Sequence, residues 1–415
     1  MKKLLFILLI TTPFIGFGQG WEIIFTPPVN DEFGNHYKKL GLQQTNDGGY
    51  IISGGDNDMF LTKTDGNGTV QWSQSYLLGG WSGQGHSVQQ TTDGGYISVG
   101  HTNGDPYLLK TDVNGIEQWS QTYDQNNNGG KGYSVQQTTD GGYIICGERT
   151  YSSSPYNNSL IIKTDGNGIE QWNHIGGIEY GTLYSIKQTN DGGYISTGTE
   201  GSLGSLILMK TNSSGSQIWK ISLVDEGGLG WEVQQTIDGG YIICGEQSND
   251  GSDIIVIKTD ENGIEQWSQI YGDYVTHVSN SGKSIQQTND GGYVICGTVH
   301  DINYENFIYL IKIDGNGTQQ WSRMFGDTCY NNGYSVQQTI DGGYIICGNS
   351  DDNIYLIKTD GNGNITSTFN IPTPSSNRKL DKVVDILGRE TKPQTNTPFI
   401  EIYDDGSTEK KIVIE

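Results

Sequence analysis

Tyr133–Gly147 reads YSVQQTTDGGYIICG, and variants of this phrase occur seven times along the 415-residue chain. The aspartate of its DGGY core falls at Asp47, Asp93, Asp140, Asp191, Asp238, Asp290 and Asp341, at spacings of 46, 47, 51, 47, 52 and 51 residues. Self-similarity at such a period is the signature of a repeat architecture. Each unit has two halves. In the third, the β-rich runs Ser134–Thr138 and Tyr143–Gly147 flank a turn at Asp140-Gly141-Gly142. After a variable loop, Leu160–Thr164 and a run ending near Trp172 flank the turn Asp165-Gly166-Asn167-Gly168. β-Branched and aromatic residues bounded by Asp, Gly and Asn are strand and hairpin signals, and the glycines supply the positive φ of tight turns. Four short antiparallel strands per unit make one propeller blade, so the expected fold is all-β, a seven-bladed propeller. Six or eight blades, or an open solenoid, are the alternatives.

Composition agrees with short strands and glycine-rich turns. The chain is 33% hydrophobic, with 61 Gly and 24 Tyr, and shows no long helical periodicity. Its formal charge is −23, with 15 basic and 39 acidic residues in the repeat region. No Lys/Arg cluster is present to exchange for counterions on nucleic acid, and the same field disfavours an anionic membrane surface. A well-solvated surface is the simplest use of the charge.

Met1–Gly18 carries two lysines, an apolar run and a Gly-Phe-Gly end, the pattern of a secretory signal peptide with cleavage before Gln19. No later stretch has the length and apolarity of a spanning helix. Residues 19–370 are then the propeller, expected as a monomer, and 371–415 a linker and C-terminal module. The mature chain begins with Trp21–Phe25, which resembles the run carrying Trp72, Trp119, Trp172, Trp219, Trp267 and Trp321, whereas the last unit ends in NITSTFN without a Trp. Trp21–Phe25 is therefore expected to supply the outer strand of the last blade and close the ring. Asn364–Phe369 as a local outer strand is the competing reading.

The tight turns keep their length, and nearly all length variation falls in the two other connections, which share the opposite face of a four-stranded meander. Variable loops on a rigid scaffold are where binding usually resides. At that rim, the residue two before the Val, Ile or Leu of each first strand is Leu40, His86, Tyr133, Tyr184, Trp231, Lys283 and Tyr334. First strands line the channel of a propeller, so this column should ring one entrance. His86, Tyr133, Tyr184, Trp231, Lys283 and Tyr334 are the candidate ligand-binding residues, able to stack on a sugar or grip a peptide. Packing between blades is the other reading. Trp81, Tyr151, Tyr156, Tyr180, Tyr274 and Tyr304 add aromatic surface in nearby loops.

Other motifs read structurally. Asp165-Gly166-Asn167-Gly168 and its copies carry one Asp per turn, or Asn212 in the fourth, where a calcium loop needs six to eight oxygens, so they read as hairpin turns. Thr138–Tyr143 is similar in part to the Asp-box of sialidases, but the arginines of a sialidase site are missing, with only Arg149 and Arg323 in the repeat region. Kelch repeats share only the architecture. Cys146, Cys244, Cys296 and Cys347 occupy one repeat position that Ser53, Val99 and Thr197 fill elsewhere, which makes them buried filler, and Cys329 is a leftover thiol. The six histidines show no metal-ligand spacing. No catalytic constellation is legible among the many acids, and no cofactor or metal is expected.

After Phe369 the repeat never returns. Lys382–Glu390 reads KVVDILGRE and Phe399–Glu415 reads FIEIYDDGSTEKKIVIE. This resembles the type A C-terminal sorting domain of the type IX secretion system of Bacteroidetes, over the last 45 or so residues. The resemblance implies export by Sec, recognition of the tail by the type IX machinery at the outer membrane, removal of the tail, and attachment to the cell surface or release. A small extra β-module is the plainer reading. Together these features describe a secreted or cell-surface binding or adhesion module with a glycan or protein ligand, and not an enzyme. A propeller hydrolase or lyase acting on polysaccharide and a structural coat protein are the rivals.

Overall fold

The structure is a computed structural model, described over residues 20–26, 40–55, 58–76, 83–123, 129–151, 154–175, 180–248, 252–272, 277–303, 305–326, 330–365, 379–385, 389–392, 399–403 and 408–411. Every regular element among them is a β-strand. Each of the first six sequence repeats folds into a four-stranded antiparallel meander. In the third these strands are Gly130–Gln137, Tyr143–Tyr151, Ser154–Thr164 and Glu170–Ile175. They run further than the sequence suggests, and most of the variable connection between the second and third is itself ladder, with Glu148 opposite Ser159 and Arg149 opposite Asn158. Polar residues conceal this extension, because the backbone pairs where the side chains lack alternation. The sheets of repeats five and six are joined by one parallel bridge, Ser252 to Ser279.

Trp21–Phe25 is the outer strand of the last repeat's sheet. It pairs antiparallel with Asn353–Thr359, from Trp21 opposite Lys358 to Phe25 opposite Ile354. Of the competing local strand, Asn364 and Ile365 are not in a strand, and the rest lies outside the described residues.

The core lies between neighbouring sheets. Ile97, Val99 and Leu108 of repeat two pack with Val135, Tyr143, Ile145 and Ile162 of repeat three. Leu42, Ile52 and Phe60 of repeat one pack in the same way with Ile345, Cys347 and Leu356 of repeat seven. Cys146, Cys244, Cys296 and Cys347 are buried free thiols within these interfaces, raised in pKa by burial where a shift is seen, whereas Cys329 lies outside the described residues.

The repeated letters have mechanical roles. Trp119, on the fourth strand of repeat two, sits 5.8 Å from the ring of Tyr143 in repeat three and lies over Gly168. Gly168 has φ +77°, and a Cβ there would come within 2.5 Å of the indole, so only glycine fits. Trp21 repeats this clamp on Tyr50 at 6.0 Å, linking the N-terminal strand to repeat one.

A second set of contacts fixes the turns. Asp140 accepts hydrogen bonds from Thr138 Oγ1 and the Gly142 N–H, and pairs with Lys163 Nζ at 2.9 Å. The same pair recurs in every repeat, at 2.8 to 2.9 Å, with lysine side chains only 3 to 6% exposed. A Cβ on Gly142 would fall 2.1 Å from Thr164 O and 2.6 Å from Lys163 Nζ, which is why two glycines follow the aspartate. In the other turn Asp165 Oδ1 accepts from the Asn167 and Ile169 N–H groups at 2.9 Å. Asn212 Oδ1 does the same work at 3.0 and 2.9 Å, so one oxygen suffices and Asp is replaceable there.

Glutamines tie the repeats in a circuit. The Gln137 N–H donates to Gln89 Oε1 at 2.7 Å, and the Thr92 N–H donates to Gln137 Oε1 at 2.9 Å. Equivalent bonds join the last repeat to the first, from the Gln44 N–H to Gln337 Oε1 at 2.7 Å and from the Ile340 N–H to Gln44 Oε1 at 3.2 Å.

The C-terminal residues form a separate compact unit from Thr366 onward. Its described part is a three-stranded antiparallel sheet of Leu380–Asp385, Phe399–Tyr403 and Thr408–Lys411. Met1–Gly18 lies outside the described residues.

Candidate functional site

A bulge decides where the rim residues point. In repeat three the ladder pairs Gly132 with Gly147 and then Ser134 with Cys146, leaving Tyr133 as the extra residue. His86, Tyr184, Trp231, Lys283 and Tyr334 occupy the same bulged position in their strands. A bulge frees a side chain from the alternation of the strand and re-aims it. All six, with Leu40, line a central cavity of about 160 Å³ formed by the first strands, at the end opposite the DGGY turns.

Five of them make a continuous arc. His86 and Tyr133 have ring centroids 5.1 Å apart, Tyr133 and Tyr184 5.1 Å, and Tyr184 and Trp231 4.5 Å. Lys283 Nζ then lies 3.5 Å from the centre of the Trp231 ring. The packing reading applies to Leu40 and His86, which are 1% and 3% exposed. Tyr133, Tyr184, Trp231, Lys283 and Tyr334 remain partly exposed. Of the nearby aromatics, Tyr180 is exposed and has φ +59°, an unusual conformation for a large side chain. Trp81, Tyr274, Tyr304 and the side chains of Tyr151 and Tyr156 lie outside the described residues.

The histidines are less scattered than their spacing suggests. His86 and His101 stack with centroids 5.3 Å apart and share a hydrogen bond between Nε2 and Nδ1 at 3.2 Å. They come together because His101 directly follows Gly100, which pairs with Gly85 beside the bulge.

The same position on the second strand, just after the glycine, supplies two acids that sequence reasoning did not single out. Glu246 accepts from Trp231 Nε1 at 2.6 Å, from Lys283 Nζ at 2.7 Å and from Ser281 Oγ, all at Oε1. Burial alone would raise its pKa, but the Lys283 charge and these hydrogen bonds outweigh it and hold the carboxyl below the usual range. Burial pulls Lys283 below the usual lysine range, against the opposing pull of Glu246. Glu148, 6% exposed, accepts from Asn157 Nδ2 at 2.8 Å and Thr182 Oγ1 at 3.0 Å. Burial, and then the neighbouring Glu148, push the Tyr133 hydroxyl far up, and similar causes push Tyr184 up to about 12. The available signal was the residue after the strand-two glycine, which is Glu only in repeats three and five.

Deeper in the channel, Lys187 stands where most repeats have Gln and Glu232 where most have Ser, and they approach to 3.8 Å. Repeats three to six thus carry all the charge at these channel positions, and the opposite side carries none. Chemically the mouth offers aromatic faces, one ammonium and two carboxylates. Among the described residues no group of three or more His, Cys, Asp or Glu has the arrangement of a metal site.

No protein-family model matches the chain, and no curated protein matches it in sequence. Solved structures match in fold. A lectin from Burkholderia pseudomallei has a TM-score of 0.55 at 9% identity, covering 79% of this chain and 98% of its own. A streptogramin B lyase has a TM-score of 0.52 at 12% identity, over 82% and 98% of the two chains. A catalytically inactive virginiamycin B lyase from Staphylococcus aureus, with quinupristin, has 0.51 at 10%, over 82% and 100%. One architecture thus carries a lectin and two lyases, and at these identities the likeness is one of fold alone. The chain has the β-propeller fold.

Proposed function

We propose that the protein is a secreted or cell-surface binding module, a seven-bladed propeller whose channel mouth receives a glycan or a protein. The convergence of Tyr133, Tyr184 and Trp231 with Lys283 at one mouth is the observation that carries this reading. Aromatic faces next to a charge suit stacking with polar anchoring. The glutamine circuit from each repeat to the next and back to the first supports the closed ring. The signal-like N-terminus and the sorting-domain resemblance support export through the type IX machinery, with the three-stranded sheet at Leu380–Lys411 as the recognised tail.

The test incubates the purified protein with a panel of polysaccharides, following both retention and new reducing ends. Retention without new ends is expected, and replacing Tyr133, Tyr184 and Trp231 together by Ala should abolish it without unfolding the chain. Unchanged retention in that variant would sink the site. One observation favours a second reading, a polysaccharide-cleaving enzyme: Glu148 and Glu246 sit behind the same rim. New reducing ends, lost in Glu148→Gln or Glu246→Gln, would establish it.

A further inference from the structure

Repeats three and five build the same slot. In each, the bulge sits beside a paired glycine, Gly132 with Gly147 and Gly230 with Gly245, so Glu148 backs Tyr133 as Glu246 backs Trp231. In each, the next repeat sends a hydroxyl to the carboxylate from two positions before its own rim residue. Thr182 reaches Glu148 Oε2 at 3.0 Å, and Ser281 reaches Glu246. Two things differ, the Asn157 amide that donates to Glu148 Oε2 at 2.8 Å and the next rim residue. In repeat six it is Lys283, whose ammonium lies 3.5 Å over Trp231 and 2.7 Å from Glu246. In repeat four it is Tyr184, its ring tilted 43° to that of Tyr133 with centroids 5.1 Å apart, and Glu148 forms no ion pair among the described residues. Lys131, opposite Glu148 in the ladder, forms none with it either.

A ring face beside a carboxylate attracts an organic cation twice, through the ring quadrupole and through charge. The chain fills one such slot with its own ammonium. The formal charge of −23 adds a field that concentrates cations at the surface. We propose that the slot of Glu148, Tyr133 and Tyr184 binds an organic cation, an ammonium or guanidinium group carried by the ligand, as the Trp231–Glu246 slot holds Lys283. This rests on the mouth being the ligand site and names the chemistry it selects.

The test is calorimetric titration of the whole protein at low salt with butylguanidinium and, as its uncharged counterpart, butylurea. The unaltered protein should bind butylguanidinium at one site and butylurea far more weakly; equal binding overturns the proposal. Glu148→Gln should weaken the cation about tenfold or more. Lys283→Ala should open the second slot and raise the stoichiometry from one to two, and adding Glu246→Gln should return it to one. Unchanged affinity in a folded Glu148→Gln protein, or a single site in folded Lys283→Ala, overturns it. If either variant fails to fold, as read by circular dichroism, the other and the butylurea comparison decide. A lysine-arginine peptide and a glucosamine oligosaccharide then separate a protein source of the cation from an amino-sugar source. Retention of neutral glycans at the mouth without cation binding would overturn this inference and leave the binding reading standing.

Discussion

The two ends of the same strands are built on opposite rules. At the tight-turn end every repeat carries the same buried lysine, the same aspartate and the same pair of glycines. At the mouth, one rim position holds Leu in the first repeat and, at a bulge, His, Tyr, Trp or Lys in the other six. The cause is in the backbone. Around Asp140, carboxylate, lysine and Thr164 carbonyl crowd one spot, and losing the aspartate would orphan the buried lysine charge. A bulged residue carries no such duty in the ladder, so its side chain is free to vary. Invariance marks the turn end as scaffold, and permitted variation marks the mouth as the place for specificity.

The largest expected effect tests the scaffold at its seam. Deleting residues 20–26 removes the Trp21 clamp and opens the edge of Asn353–Thr359. Loss of one well-packed Trp alone costs about 3–5 kcal/mol. The deletion should exceed this, read as a collapsed urea midpoint and a tendency to associate; a midpoint within error of the parent would show that the seam is not structural.

Next comes an asymmetry within one ion pair. Asp140→Ala strands Lys163, 4% exposed, and should cost about 3–5 kcal/mol. Lys163→Met leaves Asp140, 57% exposed, to water, and should cost about 1 kcal/mol. Equal losses in denaturant titrations would mean that the aspartate, too, depends on the pair.

The pairs also set an acid limit. Burial would raise Asp47, but the Thr45 hydroxyl, Lys63 and the Gly49 N–H hold it at about 2, and Asp140 and Asp191 are held at about 2 by equivalent groups. An unfolded aspartate titrates near 3.9. With folded values lowered, the stabilisation is present above about pH 4 and lost as pH falls towards 2. Urea midpoints measured between those limits should drop more steeply for the parent than for Asp140→Asn; parallel curves would remove the pairs from the account.

The smallest effect belongs to the other turn. Asn212→Asp keeps the one oxygen that accepts both N–H groups, so stability should change by less than about 0.5 kcal/mol. A larger change would give the second carboxylate oxygen of that turn a role in the other repeats.

Much of the fold was legible in the letters. The DGGY period, the Trp spacing and the missing last Trp led to four-stranded units and to the N-terminal strand in the final sheet, because tight turns and clamps demand particular residues at fixed distances. The rim column was legible too, as a column. Its bulges were not, since a bulge is a slip between two strands and leaves no fixed letter in either. Glu148, Glu246 and the pairing of His86 with His101 were hidden for the same reason: they meet rim residues only through the ladder, and one strand's spacing says nothing of what backs it.

The repeat, the strand content and the invariant turn chemistry were all written in the letters, because they depend on contacts within a few residues or at a constant period. Packing between repeats settled which side chains share the mouth, that Lys283 occupies a slot against Trp231 and Glu246, and that Glu148 forms no ion pair in its twin among the described residues. Those outcomes depend on strands and neighbouring repeats meeting side by side, where one substitution changes a partner 15 to 37 residues away in sequence.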